Sequence, residues 1–368
     1  MKNRIFRFPI AALSLLILML LCACDFSDPV VTDPIPVVTE VSVTEPQPSE
    51  PTPTTEPTSE PTQAIDDGSV YPVYEEIFRW QDGVGNLNEV QVTIPAMAGN
   101  SPIASEFTAK IDQITAPVLA EIADWMQTEC STMWSSISYR EYRNREMLSV
   151  ILIRETPIDL VYYDVFNFDL NDQESMDVAE MCDEYLDISY PQFLKAVMEW
   201  MTSDFQITYE DFKNIDPEGY EFILHEFTDN PFVMFSYSLF LNEDGKLMLI
   251  YDSPSLAGAS FYPTITEYPS SIQYSDEQDA YNWLFDLSGK VDGAYATAYD
   301  QILKITFTDD PEDFSEALAK WTSGDTDQII MSIVSAFTMD VDETEDLRNL
   351  CRDIENTQIR DSILNLLG

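Results

Sequence analysis

Basic side chains are scarce in this chain of 368 residues: 18 Lys+Arg stand against 66 Asp+Glu, a formal net charge of −48. That balance excludes nucleic-acid binding by phosphate neutralisation. Histidine occurs once, as His225, and the five cysteines show neither a CxxC spacing nor a His partner. No nitrogen-and-sulfur metal set is therefore expected, and no cofactor is implied. A lone His without an identifiable nucleophile also leaves no catalytic constellation, so the chain is expected to bind rather than to catalyse. What is present is apolar: 45% hydrophobic and 12% aromatic residues, too much for a chain disordered throughout.

The N-terminus places Lys2, Arg4 and Arg7 before the apolar run Phe8 to Leu21, which ends at Cys22-Ala23-Cys24. A spanning helix needs about 20 apolar residues, and this run is shorter. Residues 1–23 read as a bacterial export signal, and Leu21-Cys22-Ala23-Cys24 resembles a lipobox, which implies that Cys24 becomes the lipidated first residue. The other reading is an uncleaved anchor helix. Either one places the remainder on the outer face of the cytoplasmic membrane, extending into the cell wall. Loss of Lys2, Arg4 and Arg7 leaves 15 basic against 66 acidic residues, or −51, so acyl chains rather than charge must hold the protein to anionic lipid. Residues 24–69 contain no Lys or Arg and are rich in Pro, Thr and Glu, as in Glu56-Pro57-Thr58-Ser59-Glu60-Pro61. Such a segment reads as a disordered, semi-rigid stalk.

From Val70 the pattern changes. Tyr71–Trp80 and Asn88–Pro95 read as strands, and Ile103, Phe107, Ile111, Ile114, Val118, Ile122 and Trp125 form a helical stripe in which Pro117 predicts a kink or a second start. Ser136–Arg143, Met147–Ile153 and Leu160–Leu170 predict an antiparallel meander, followed by a helix over Tyr190–Met201. Phe232–Phe240 and Lys246–Tyr251, joined by Asn242-Glu243-Asp244-Gly245, predict a second hairpin. After Ser275 the periodicity is helical. Glu312-Asp313-Phe314 and Leu318/Trp321 recur as Glu345-Asp346-Leu347 and Cys351/Ile354 at an offset of 33, which fits either two degenerate helical hairpins or two similar acidic helix starts. The fold class read from this is α+β: an antiparallel sheet packed by helices over residues 70–275, then a small helical region over 276–368.

Several of these segments carry a resemblance. Ser138-Tyr139 with Leu148-Ser149-Val150, then Asn167-Phe168-Asp169-Leu170, then Ser238 to Lys246 leading through Tyr251 to Ala257-Gly258 and Pro263-Thr264-Ile265, are similar to the RsiV-like extracytoplasmic modules of lysozyme-sensing anti-sigma factors. Similar modules precede the catalytic domain of some peptidoglycan deacetylases. The resemblance spans about residues 70–270 and implies a protein ligand of the muramidase class, without direct sigma-factor binding.

Candidate contacts follow from the residues. Arg140, Arg143, Arg145 and Arg154 are four of nine basic residues between Val70 and Ser275, and form either an anion site or internal ion pairs. Tyr251, Phe261 and Tyr262 near the second hairpin either face a ligand or pack in the core. With Arg140, Arg143 and Arg145 they are the expected ligand-binding set, for a basic secreted protein such as lysozyme or, alternatively, for peptidoglycan. A wall hydrolase is the third reading. His225, in the strand-like run Tyr220–Phe227, is assigned a structural role. Asp340–Asp346 imitates a calcium loop but has Glu345 at position six and Cys351 at position twelve, and reads as a helix start. Cys130, Cys182 and Cys351 are expected as buried free thiols.

Overall fold

The computed structural model describes residues 68–157, 160–228, 236–254, 261–291, 293–338, 341–352 and 354–368. Cys24 and the stalk lie outside the described residues. Strands β1 (Val70–Gln81) and β2 (Leu87–Met97) pair antiparallel. Their turn is built on one carboxylate, Asp82 Oδ1, which accepts from the backbone N–H of Val84 (3.1 Å) and of Asn86 (2.7 Å). Helix α1 (Pro102–Thr128) starts where Ser101 Oγ accepts from the Ala104 N–H at 3.3 Å. It buries Ile103, Phe107, Ile111, Val118 and Ile122, and Phe107 meets Phe166 and Phe168 edge-on at 5.6 and 5.7 Å. Pro117 sits inside α1 without ending it. An interior proline costs about 3 kcal/mol, whereas each fully buried large apolar side chain contributes roughly 1.5–3 kcal/mol, and the stripe continues on both sides of the ring.

The meander β3 (Ser136–Arg143), β4 (Met147–Glu155) and β5 (Val161–Asp169) follows, with a short β6 (Glu174–Met176). The six strands form one sheet in chain order, antiparallel throughout except for a short parallel pairing of β2 with β3. Because side chains alternate, Leu148, Val150 and Leu152 face α1, while Ser149, Ile151 and Ile153 face the other way. The second face receives a three-stranded antiparallel sheet, β7 (Ser238–Leu241), β8 (Leu247–Pro254) and β9 (Phe261–Glu267), through Ile151, Ile153, Phe240 and Ile250. Gly245 closes the β7–β8 turn at φ +73°, beside Asn242 Oδ1, which accepts from the N–H groups of Asp244 (3.0 Å) and Lys246 (2.9 Å). Of the expected strand over Phe232–Phe240, residues 232–235 lie outside the described residues.

Between the sheets the chain forms α2 (Val178–Leu186), α3 (Tyr190–Thr208), α4 (Glu210–Ile215) and α5 (Pro217–Thr228). The expected strand character of Tyr220–Phe227 is incorrect: the run is helical and His225 is exposed in its last turn. Tyr220, Ile223 and Leu224 fall three and four apart and pack on Phe205 and Tyr209, which fixes a helix despite the alternation of aromatics. Asp216-Pro217 supplies the start signal, with Asp216 Oδ1 accepting from the Gly219 N–H at 3.0 Å.

The C-terminal part is α6 (Glu277–Asp286), α7 (Gly293–Asp309), α8 (Pro311–Lys320), α9 (Thr326–Thr338), α10 (Val341–Leu350) and α11 (Thr357–Leu367). Phe285, Phe307, Phe314 and Trp321 centre it, with Phe285 and Phe314 at 5.2 Å and Phe307 and Phe314 at 5.4 Å. These rings belong to the same apolar core as Phe193 and Leu194 of α3 and Leu239 and Leu249 of the second sheet. Ser275 therefore marks a change of secondary structure inside a shared core. The sequence triplets Phe314/Leu318/Trp321 and Leu347/Cys351/Ile354 are both buried there. Asp340 lies outside the described residues.

Candidate functional site

The arginines do not converge. Arg140 and Arg143 are three residues apart on β3, and the two-residue period sends them to opposite faces of the sheet. Arg143 Nε pairs with Glu141 at 3.1 Å and its guanidinium also donates to the Gly68 carbonyl. Arg145 is exposed in the β3–β4 turn, and neither it nor exposed Arg140 forms an ion pair among the described residues.

Arg154 is the organised member of the group. Its guanidinium is held by both oxygens of Asp164, at 3.0 and 3.2 Å, and lies 5.6 Å from the ring centres of both Trp134 and Tyr162. Trp134 and Tyr162 meet edge-on at 5.8 Å, and the indole N–H donates to Glu121 at 3.2 Å. On β5 the residues Phe168, Phe166, Asp164 and Tyr162 share one face. The first two lie against α1, and the row runs out to Tyr162, which is 45% exposed. The result is a small aromatic and guanidinium platform at the open end of the sheet.

A second arrangement surrounds Tyr251. Trp200, Asp204 and Thr208 recur every four residues along α3, forming a stripe beside the buried pair Met201 and Phe205. Together with Tyr209, Tyr251 and Ser253 they line a shallow cleft of about 50 Å³ between α3 and β8. That is well below the ~300–1,000 Å³ of pockets that enclose a whole small ligand, so the cleft has room for a terminal group only. The Trp200 and Tyr251 rings lie 5.3 Å apart at 73°, so the cleft is walled by a ring face and a ring edge. Burial, and after it the Asp204 carboxylate, raise the Tyr251 phenol above its ordinary value, while a hydrogen bond with Ser253 opposes them. Asp204 makes no ion pair or hydrogen bond among the described residues, whereas Lys195, two turns earlier on the helix, is paired with Glu199 at 3.1 Å.

Tyr262 stands opposite Ser253, and Phe261 opposite Pro254, in the β8–β9 register; their side chains lie outside the described residues. The expected aromatic set is thus centred on Tyr251. Reading α3 past Met201 to Thr208 exposes the Trp200, Asp204, Thr208 stripe in the sequence, but nothing local links it to a strand some fifty residues on.

Elsewhere, a cleft of about 220 Å³ between α6 and α8 is lined by residues that include Asp276, Glu277, Asp313, Glu316, Tyr281 and Lys320. Asp276, Glu277 and Asp313 belong to the starts of two helices, where Asp276 caps the Gln278 N–H at 3.0 Å, and Glu316 pairs with Lys320 at 3.0 Å, which accounts for them structurally. Among the described residues, no group of three or more His, Cys, Asp and Glu side chains is arranged to hold a metal ion, and no helix is long and apolar enough to cross a membrane. Compared with known proteins, the sequence matches no family model and no curated relative.

Proposed function

We propose that this protein is a non-catalytic, extracytoplasmic binding lipoprotein, held to the outer face of the membrane through Cys24 and lifted into the wall by its stalk, and that its ligand is a basic secreted protein of the lysozyme class. The observation that carries the reading is a buried joint. Three of the segments with the RsiV-like resemblance meet there, as Ser149, Asn167 and the backbone of Leu239 and Leu241 hydrogen-bond to one another. Those three segments are therefore parts of one structural unit, while Ala257-Gly258 lies outside the described residues. Ligand choice rests on charge: a chain at −48 steers a basic protein toward itself and repels an anionic one.

A second reading, binding of wall glycan, is favoured by the Arg154, Trp134 and Tyr162 platform, since flat exposed rings beside fixed polar groups suit a sugar ring. Capture of lysozyme and of an unrelated basic protein, compared at low and physiological salt, separates the readings. Lysozyme-selective, salt-resistant capture is expected. Equal capture of both proteins that vanishes with salt would reduce the effect to charge attraction, and retention on purified wall polymer alone would favour the glycan. Cys24→Ala is expected to release the protein from membranes.

A further inference from the structure

We propose that the cleft between α3 and β8 receives one cationic side chain, a guanidinium or an ammonium group, from a basic polypeptide. This deepens the receptor reading and rests on it. The charge pattern points to a cation: Asp204 is the one charged side chain among the described residues lining the cleft, and it forms no ion pair there. The nearby lysines of the same helical region are committed, Lys195 to Glu199 at 3.1 Å and Lys213 to Glu221 at 3.7 Å. The walls add a second preference, because the exposed ring face of the edge-to-face Trp200–Tyr251 pair carries negative quadrupole potential and attracts a cation set over it. An exposed carboxylate beside an aromatic pair favours an arginine or lysine head group by charge and by ring face.

Size and polarity argue against the competing occupants. At about 50 Å³ the cleft suits a single head group better than a chain of sugar rings. An anionic wall polymer would meet Asp204 with like charge. The buried Met201 and Phe205 form an apolar floor suited to the methylene stem of lysine or arginine.

The test uses the full chain in detergent micelles at physiological ionic strength, with a short acetylated, amidated peptide bearing a central arginine and its citrulline counterpart, which has the same shape without the charge. Binding is followed by saturation-transfer NMR. The arginine peptide is expected to bind about tenfold more tightly than the citrulline peptide. Asp204→Asn is expected to remove that difference, and Asp172→Asn, an exposed acid in the turn after β5, to leave it intact. Equal binding of the two peptides to the wild-type chain, or an Asp204→Asn effect no larger than that of Asp172→Asn, overturns the inference. Lysozyme capture is measured on the same variants. Capture that is undiminished in Asp204→Asn overturns the cleft assignment while the receptor reading stands; arginine-selective, Asp204-dependent peptide binding without any lysozyme capture supports the cleft and removes the lysozyme reading.

Discussion

The side-chain amide of Asn167 donates to the backbone carbonyl of Leu239 at 2.9 Å, joining residues 72 apart in the chain and two different sheets. Asn167 Oδ1 accepts from Ser149 Oγ at 2.7 Å, and Ser149 Oγ in turn accepts from the Leu241 N–H at 3.3 Å. Ser149 and Asn167 are direct partners in the β4–β5 register and are both buried. Within an otherwise apolar interface of Ile151, Ile153, Phe240 and Ile250, this network sets where β7 docks, because a shift along the sheet would bury unpaired polar groups.

Removing one member should therefore cost more than a surface hydrogen bond. Asn167→Ala leaves the Ser149 hydroxyl proton without its acceptor and the Leu239 carbonyl without its side-chain donor, so a loss of roughly 1–3 kcal/mol is expected in denaturant unfolding. Ser149→Ala combined with Asn167→Ala should cost less than the sum of the single changes by about 0.5 kcal/mol or more. A loss below about 0.5 kcal/mol for Asn167→Ala would mean that the joint contributes no stability.

Much of the scaffold around this joint was legible because its periods are clean. The three-and-four spacing of α1 has one solution that buries the apolar set, and Met147–Ile153, apolar on both faces and bounded by turns, reads as a central strand. Tyr220–Phe227 was not, because Tyr220, Phe222 and Leu224 alternate like a strand while Tyr220, Ile223 and Leu224 also satisfy a helix. Contact with Phe205 decides between them. The arginine group illustrates a different failure. Proximity in sequence suggested one site, yet the same two-residue period that defines β3 separates Arg140 from Arg143. The cleft was half legible, since Tyr251 stood out and Trp200 and Asp204 reach it only through tertiary packing.

The thiols should differ sharply in reactivity. Cys182 and Cys351 are free and buried; burial pushes the first well above its ordinary value and the second up to about 11. Cys130, just past the end of α1, is only partly covered. Alkylation in native buffer followed by peptide mapping should label Cys130 first, with Cys182 and Cys351 reacting only after denaturant is added. Labelling of Cys182 as fast as Cys130 without denaturant would show that the packing of α2 against the core is looser than described.

Stability should also fall as pH rises through neutrality, and Asp309 is the reason. It is the last residue of α7, at the negative end of that helix dipole, and its carboxyl is pushed up to about 7 by burial first and then by Asp177, Asp183, Asp310 and Glu180. A carboxyl whose folded value exceeds its unfolded value of 3.8 holds its proton in the native state while the unfolded chain has already released it. The contribution is thus fully present below about pH 4, declines as pH rises toward 7, and is lost above it. Although neighbouring atoms crowd the carboxyl, Asp309 as a residue remains exposed, so solvent screens the repulsion and the effect should be about 1 kcal/mol rather than the several that the full shift would imply. Asp309→Asn removes the ionisation. It should raise the unfolding midpoint relative to the wild type at pH 8, give little difference at pH 4.5, and lose much of its benefit in high salt, where the surrounding carboxylates are screened. Equal midpoints for the two proteins at pH 8 and low salt would show that the carboxylate is accommodated there without cost.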